Sequence, residues 1–118
     1  SMVVGRPLSM LMLKANATVT ICHTKTADLE GTCRNAEILV AGAGRAKMLD
    51  KRFVGPDAVV IDVGINVDEN GKLCGDVDYG SLDGTASAAT PVPGGVGLMT
   101  RAMLMKNTVK AARLQSGL

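Results

Sequence analysis

The sequence predicts an α/β layered fold, a parallel sheet covered by helices on both faces. Three observations lead there. "EILVAGAG" and "DAVVIDVGI" contain short, continuous apolar runs, the pattern of strands buried on both sides. Helical patterns separate and follow them, as crossover connections require. Glycines stand directly after both runs, where a chain turns away from a strand end.

The elements follow in order. "VVGRPLSMLMLKAN" carries Pro7 and then an apolar-rich stretch from Leu8 to Leu13. Proline near a helix start presets φ and gives up no needed N–H, so a helix is expected over residues 7–15. "ATVTICH", residues 17–23, is β-branched and alternating, hence a strand. "TADLEGTCRNA" reads as a short helix with Thr26 as its N-cap ahead of Asp28. A buried strand is expected over Ile38–Ala41, then a glycine turn, then a short turn or helix around residues 45–51. Residues 58–63 form the strongest strand pattern, "DENGK" carries an Asn-Gly turn signal, and "ASAAT" fits one more short strand. From Leu98 onward, Leu98, Ala102, Met105, Val109 and Ala112 step by four, three, four and three, which is one face of a helix. The methionines from Met99 to Met105 are expected in the core. One feature is at odds with this plan. The chain opens on a helix start, whereas a nucleotide-binding βαβ unit opens on a strand, so a strand is expected upstream. Ser1-Met2 reads as a cloning remnant.

Composition narrows the function. A chain of 118 residues with 47% apolar content supplies one domain and one core. The net charge is only +2, the basic residues are scattered, and Phe53 and Tyr79 are the sole aromatics. A nucleic-acid platform needs a basic stripe and usually stacking rings, so that class is excluded. No apolar run approaches the ~20 residues of a membrane span, and no signal-peptide pattern is visible. Cys22, Cys33 and Cys74 are odd in number and lack C-x-x-C pairing. That argues against zinc or a disulfide framework and for reduced thiols in the cytoplasm.

In a doubly wound sheet, ligands bind beyond the carboxyl ends of the strands. Four segments fit that place: His23-Thr24-Lys25-Thr26, Gly42-Ala43-Gly44-Arg45, Gly64-Ile65-Asn66, and "TPVPGGVGLMT" before the last helix. "GAGRAK" holds G-x-G, but Lys47 occupies the third glycine position of a dinucleotide fingerprint, so alone it reads as an ordinary turn. "HTKT" offers hydroxyls and Lys25 to a phosphate or ribose; the plainer reading is a polar loop. His23, the single histidine, has no nucleophile or carboxylate at motif spacing and reads as a hydrogen-bonded loop residue. Asp76 and Asp78 are expected to cap turns rather than bind a metal, which would want more convergent oxygens. Gly94, Gly95 and Gly97 stand out because glycine lets backbone approach a flat ligand closely, and the next helix start offers free N–H donors.

"VVGRPLSMLMLKANATVTICHTKT", "AVVIDVGIN", "GDVDY" and "TPVPGGVGLMTRAMLMKNT" resemble, in order and spacing, the cofactor-binding half of methylenetetrahydrofolate dehydrogenase/cyclohydrolase. The likeness spans nearly the whole chain. It implies a Rossmann-like doubly wound parallel sheet lacking its first strand, an NADP cofactor with NAD possible, and a homodimer, cytosolic or mitochondrial and here expected in the cytoplasm, acting on tetrahydrofolate derivatives. It implies cofactor contacts at His23, Thr24, Ala43, Gly44, Ile65, Asn66 and Thr100. Thr24 matches a hydroxyl at the adenosine phosphate, Ile65 a backbone contact at the nicotinamide end, and Thr100 a hydroxyl near the nicotinamide amide. Pro93, Gly94, Gly95 and Val96 match the loop between nicotinamide and pterin, and so the substrate. Leu98 replaces the family's usual proline, and Arg101 stands at a usually apolar place. The family's Gly-Arg-Ser turn and its N-terminal domain, with a Tyr-x-x-x-Lys pair, a Gln and an Asp for the chemistry, are not in this sequence. The expectation is therefore a single NAD(P)-binding domain over residues 1–118, without activity by itself. The alternative is a non-catalytic dimerisation or interaction module, since an open sheet edge invites pairing.

Overall fold

Strand β2 (Val59–Asp62) is the middle of a three-stranded parallel sheet, with β1 (Ile38–Ala41) on one side and β5 (Ala88–Ala89) on the other. The register pairs Ile38 with Val59 and Ala41 with Asp62, then Val59 with Ala88. The computed structural model describes residues 3–117; Ser1 and Met2, the expected cloning remnant, lie outside them, as does Leu118. The core gathers on the sheet from Leu39, Ala41 and Val60, with Cys33, Leu49, Val54, Ala58, Val77 and Leu82 packed around them.

Helix α1 (Gly5–Lys14) begins two residues before the expected start and ends where Asn16 adopts a left-handed φ of 66°. Helix α2 (Leu29–Arg34) packs on the 3-10 turn Lys51–Phe53. Its N-cap is Asp28, whose carboxylate accepts the Gly31 N–H at 3.1 Å. The expected cap, Thr26, instead accepts the His23 N–H. A carboxylate suits this end better than a hydroxyl, because it also meets the positive end of the helix dipole. The Asn-Gly signal closes a hairpin of β3 (Asn66–Val67) and β4 (Leu73–Cys74), with Asp68 accepting the Asn70 and Lys72 N–H groups at 2.9 Å each.

Two larger expectations also fail. Residues 17–23 form no strand. Their β-branched alternation favours extended backbone, but a strand exists only through a ladder, and no described residue pairs with them. Helix α3 (Val96–Ser116) is helical as the spacing predicts, yet it projects from the sheet and every residue from 97 to 116 is exposed. Met99, Met103 and Met105 are therefore not core residues; Met105 is 68% exposed. Periodicity reports that a face is apolar, not what covers it. The projection also explains the Cα radius of gyration of 16.0 Å, against about 13 Å for a compact chain of this length.

Cys33, buried on α2, lies beside half-buried Cys22, and all three cysteines are free. Burial first, then the charge of Cys22 and a hydrogen bond with it, pushes the Cys33 thiol up to about 11 from 9.0. The unfolded thiol therefore ionises at lower pH than the folded one, so stability falls as pH rises from about 9 through about 11. We expect a loss on the order of 2 kcal/mol over that interval, read by denaturant unfolding of wild type against C33A. At neutral pH, iodoacetamide should label Cys22 before Cys33 in the folded protein.

Candidate functional site

Because all three strands run the same way, their carboxyl ends open at one edge of the sheet. Gly42-Ala43-Gly44 leaves β1 there, Val63-Gly64-Ile65 leaves β2, and residues 90–95 leave β5. Ile65 presents an apolar side chain that is 74% exposed. Lys47 and Arg45 are also exposed, and the Lys47 ammonium reaches Asp68 at 3.6 Å. The Asp68 carboxyl is held below its ordinary range by the Lys72 N–H first, with the Asn70 N–H and Lys47 adding to it. A cleft of about 240 Å³ opens alongside, lined by Lys47, Asp68, Lys72, Cys74, Tyr79 and Val92 among others.

Beneath the loops lies a floor of two buried carboxylates. Asp62 ends β2, and its Oδ1 accepts the Gly64 N–H at 2.9 Å and the Asp76 N–H at 3.1 Å. Its Oδ2 accepts the Val77 N–H at 3.0 Å. Asp76, wholly buried, accepts the Gly44 N–H at 2.9 Å and the Asn66 side-chain amide at 2.7 Å. Asp76 thus caps turns, as expected, but across separate segments rather than within its own. Asp62 is the residue that the sequence reading missed. The available signal was a carboxylate closing an apolar strand, since a buried polar group must find partners.

The loop after β5 is fastened and then left irregular. Thr90 accepts the Asp62 N–H through its hydroxyl at 2.8 Å and donates its own N–H to Val60 at 3.0 Å. Gly94 takes φ +93°, a conformation that side chains disfavour. A Cβ on Gly95 would run into the Pro91 carbonyl oxygen. Pro93 and Gly94 are exposed, Gly95 and Val96 half-buried, and α3 starts without a side-chain cap, the Leu98 N–H donating to the Gly95 carbonyl at 3.1 Å.

The expected site residues fall into three groups, with Thr100 apart on α3. Gly44 and Asn66 are brought together through Asp76, with Ala43 and Ile65 beside them in the chain. Pro93, Gly94, Gly95 and Val96 sit on the loop anchored to β2 by Thr90. His23 and Thr24 belong to an exposed turn that closes on itself: the His23 N–H meets Thr26 Oγ1 at 2.9 Å, and the Lys25 N–H meets His23 Nδ1 at 3.2 Å. His23 is thus a hydrogen-bonded loop residue. The Thr100 hydroxyl donates to the Val96 carbonyl at 3.2 Å within α3.

Residues 1–116 match the family model for the tetrahydrofolate dehydrogenase/cyclohydrolase NAD(P)-binding domain. Curated relatives include bifunctional protein FolD of Clostridioides difficile, 58% identical over 98% of this chain, and FolD 2 of Bordetella pertussis, 60% identical over 95%. The chain spans about two fifths (40%) of the length of each. Among solved structures, the bifunctional FolD methylenetetrahydrofolate dehydrogenase/cyclohydrolase of Campylobacter jejuni superposes with a TM-score of 0.92 at 47% identity, covering 98% of this chain and 41% of that one. The Trypanosoma brucei FolD, solved with NADP and an inhibitor, gives 0.80 at 37% identity, covering 89% of this chain and 38% of that one.

Proposed function

The chain belongs to the tetrahydrofolate dehydrogenase/cyclohydrolase NAD(P)-binding domain family, and we propose that it is the cofactor-binding part of such a bifunctional enzyme. The parent enzyme would oxidise 5,10-methylenetetrahydrofolate to the methenyl form with NADP, then hydrolyse it to 10-formyltetrahydrofolate. The observation carrying this reading is the meeting of three loops at one sheet edge, over a buried floor, in a chain that matches the family along 116 residues.

The residues fit a dinucleotide. An added Cβ at Gly42 or Gly97 would meet nothing within 4 Å. Packing among the described residues therefore does not call for glycine at either place, whereas close approach of a flat ligand would. When bound, NADP supplies the hydride acceptor. The work of this chain is orientation. His23 and Thr24 would face the adenosine phosphate, with Lys25 and Arg45 as nearby cations. Ala43, Gly44 and Asn66 would border the cofactor, Ile65 its nicotinamide end through its backbone, and Thr100 the nicotinamide amide. Pro93, Gly94, Gly95 and Val96 would separate nicotinamide from pterin. The groups that move protons would come from the remainder of the parent, as would cover for the exposed apolar residues of α3. NAD could replace NADP, and the parent would act as a homodimer in the cytoplasm. No helix among the described residues is long and apolar enough to cross a membrane.

Two measurements on the 118-residue chain test this. Calorimetric titration should show saturable NADP binding, and assays following NADPH formation should show no turnover of methylenetetrahydrofolate. Turnover by the chain alone would refute the division of labour; saturable binding of neither NADP nor NAD would remove the cofactor site. The exposed apolar residues of α3 also favour a second reading, a dimerisation or interaction module without catalysis. A defined dimer by light scattering, with no rise in melting temperature on adding NADP, would select it.

A further inference from the structure

Asp76 is not among the residues proposed to contact the cofactor, yet it holds two of them from below. Its side chain is 0% exposed. Oδ2 accepts the backbone N–H of Gly44, 32 residues away, and Oδ1 accepts the side-chain amide of Asn66. Its own backbone is fixed in turn, the N–H to Asp62 Oδ1 at 3.1 Å and the carbonyl to the Leu49 N–H at 2.9 Å. The neighbouring Gly75 carbonyl accepts the Lys47 N–H at 3.0 Å. The turn after β1 and the loop after β2 therefore share one buried anion between them. Around Gly44 the chain is otherwise open, with residues 42–47 all exposed.

We propose that Asp76 is a positioning residue. It sets the separation of the Gly44 turn and the Ile65-Asn66 loop. This rests on the cofactor reading above. Both partners present donors, and the two carboxyl oxygens satisfy them together. An amide at position 76 keeps both ties by accepting from Gly44 and donating to Asn66 once the Asn66 amide turns its oxygen inward. Alanine leaves both donors without this partner.

The conservative variant provides the rescue. In D76A the two loops lose both ties, and NADP affinity should fall on the order of tenfold in protein that circular dichroism shows to be folded. In D76N both ties can form again, and affinity should stay within about threefold of wild type. A merely stabilising Asp76 predicts a lower melting temperature with unchanged affinity in folded D76A. That result, or a folded D76N as weak as D76A, overturns the proposal. If wild type binds no NADP, the cofactor reading fails by itself, and amide hydrogen exchange still tests the coupling. The Gly44 N–H should exchange slowly in wild type despite its exposed surroundings. Exchange as fast as that of an open loop would overturn it, whether or not any variant folds.

Discussion

Replacing Asp62 with alanine is expected to destabilise the chain by about 3–5 kcal/mol, a large share of the roughly 5–15 kcal/mol that holds a domain folded. The side chain is 3% exposed and accepts three backbone N–H groups: Gly64, Asp76 and Val77. Alanine leaves all three donors buried and unpaired, and each such group costs about 1–3 kcal/mol. Relief from holding a buried carboxylate offsets part of that sum. Asparagine should be milder, at about 1–3 kcal/mol. Its oxygen can keep the Gly64 and Asp76 N–H groups, while its NH2 faces the Val77 donor. Urea unfolding followed by circular dichroism gives the ranking. Equal stability of D62A and wild type would mean that this floor is not what holds the strand end to the segment beyond β4.

Gly75→Ala is expected to lower stability by about 2–4 kcal/mol through the same contact from the opposite side. A Cβ on Gly75 would overlap the Asp62 carboxylate, meeting Oδ1 at 2.7 Å even at its more distant oxygen. The carboxylate cannot retreat, because three N–H groups hold it in place. The backbone at Gly75 is not in the left-handed region, so the effect is steric alone. Gly42→Ala is the control: its Cβ would enter open space, and the stability change should stay within about 0.5 kcal/mol. The coupling is also testable. In the D62A background the obstructing carboxylate is gone, so the added cost of G75A should shrink well below its cost in wild type. Strict additivity would show that the two residues do not share the contact.

The elements that the sequence revealed are those whose cause is local. The apolar runs at Ile38–Ala41 and Val59–Asp62 became parallel neighbours, and the stepwise apolar residues from Leu98 lie in α3. The Asn-Gly turn closed a hairpin, helped by Asp68 within its own loop. The candidate site was legible as a set of strand-end glycine loops, because chain direction alone puts those loops at one edge. Its floor was not legible. Nothing within a few residues of Asp76 announces that Gly44 is its partner. The segment at residues 17–23 failed for a related reason: alternation gives a preference for extension, and only a neighbouring strand turns that preference into a ladder.

By itself, the sequence determined an α/β chain with a parallel sheet, a glycine-rich edge and a long final helix. Periodicity and turn chemistry act over a few residues, and their record is in the local order of side chains. Only the tertiary structure decided three further matters: that Asp62 and Asp76 form one buried floor, that Thr90 fastens the Pro/Gly loop to β2, and that the methionine face of α3 is left uncovered. The first two join groups 14 and 28 residues apart. Their partners meet only after the sheet has assembled, when burial makes an unpaired donor or acceptor too costly to leave.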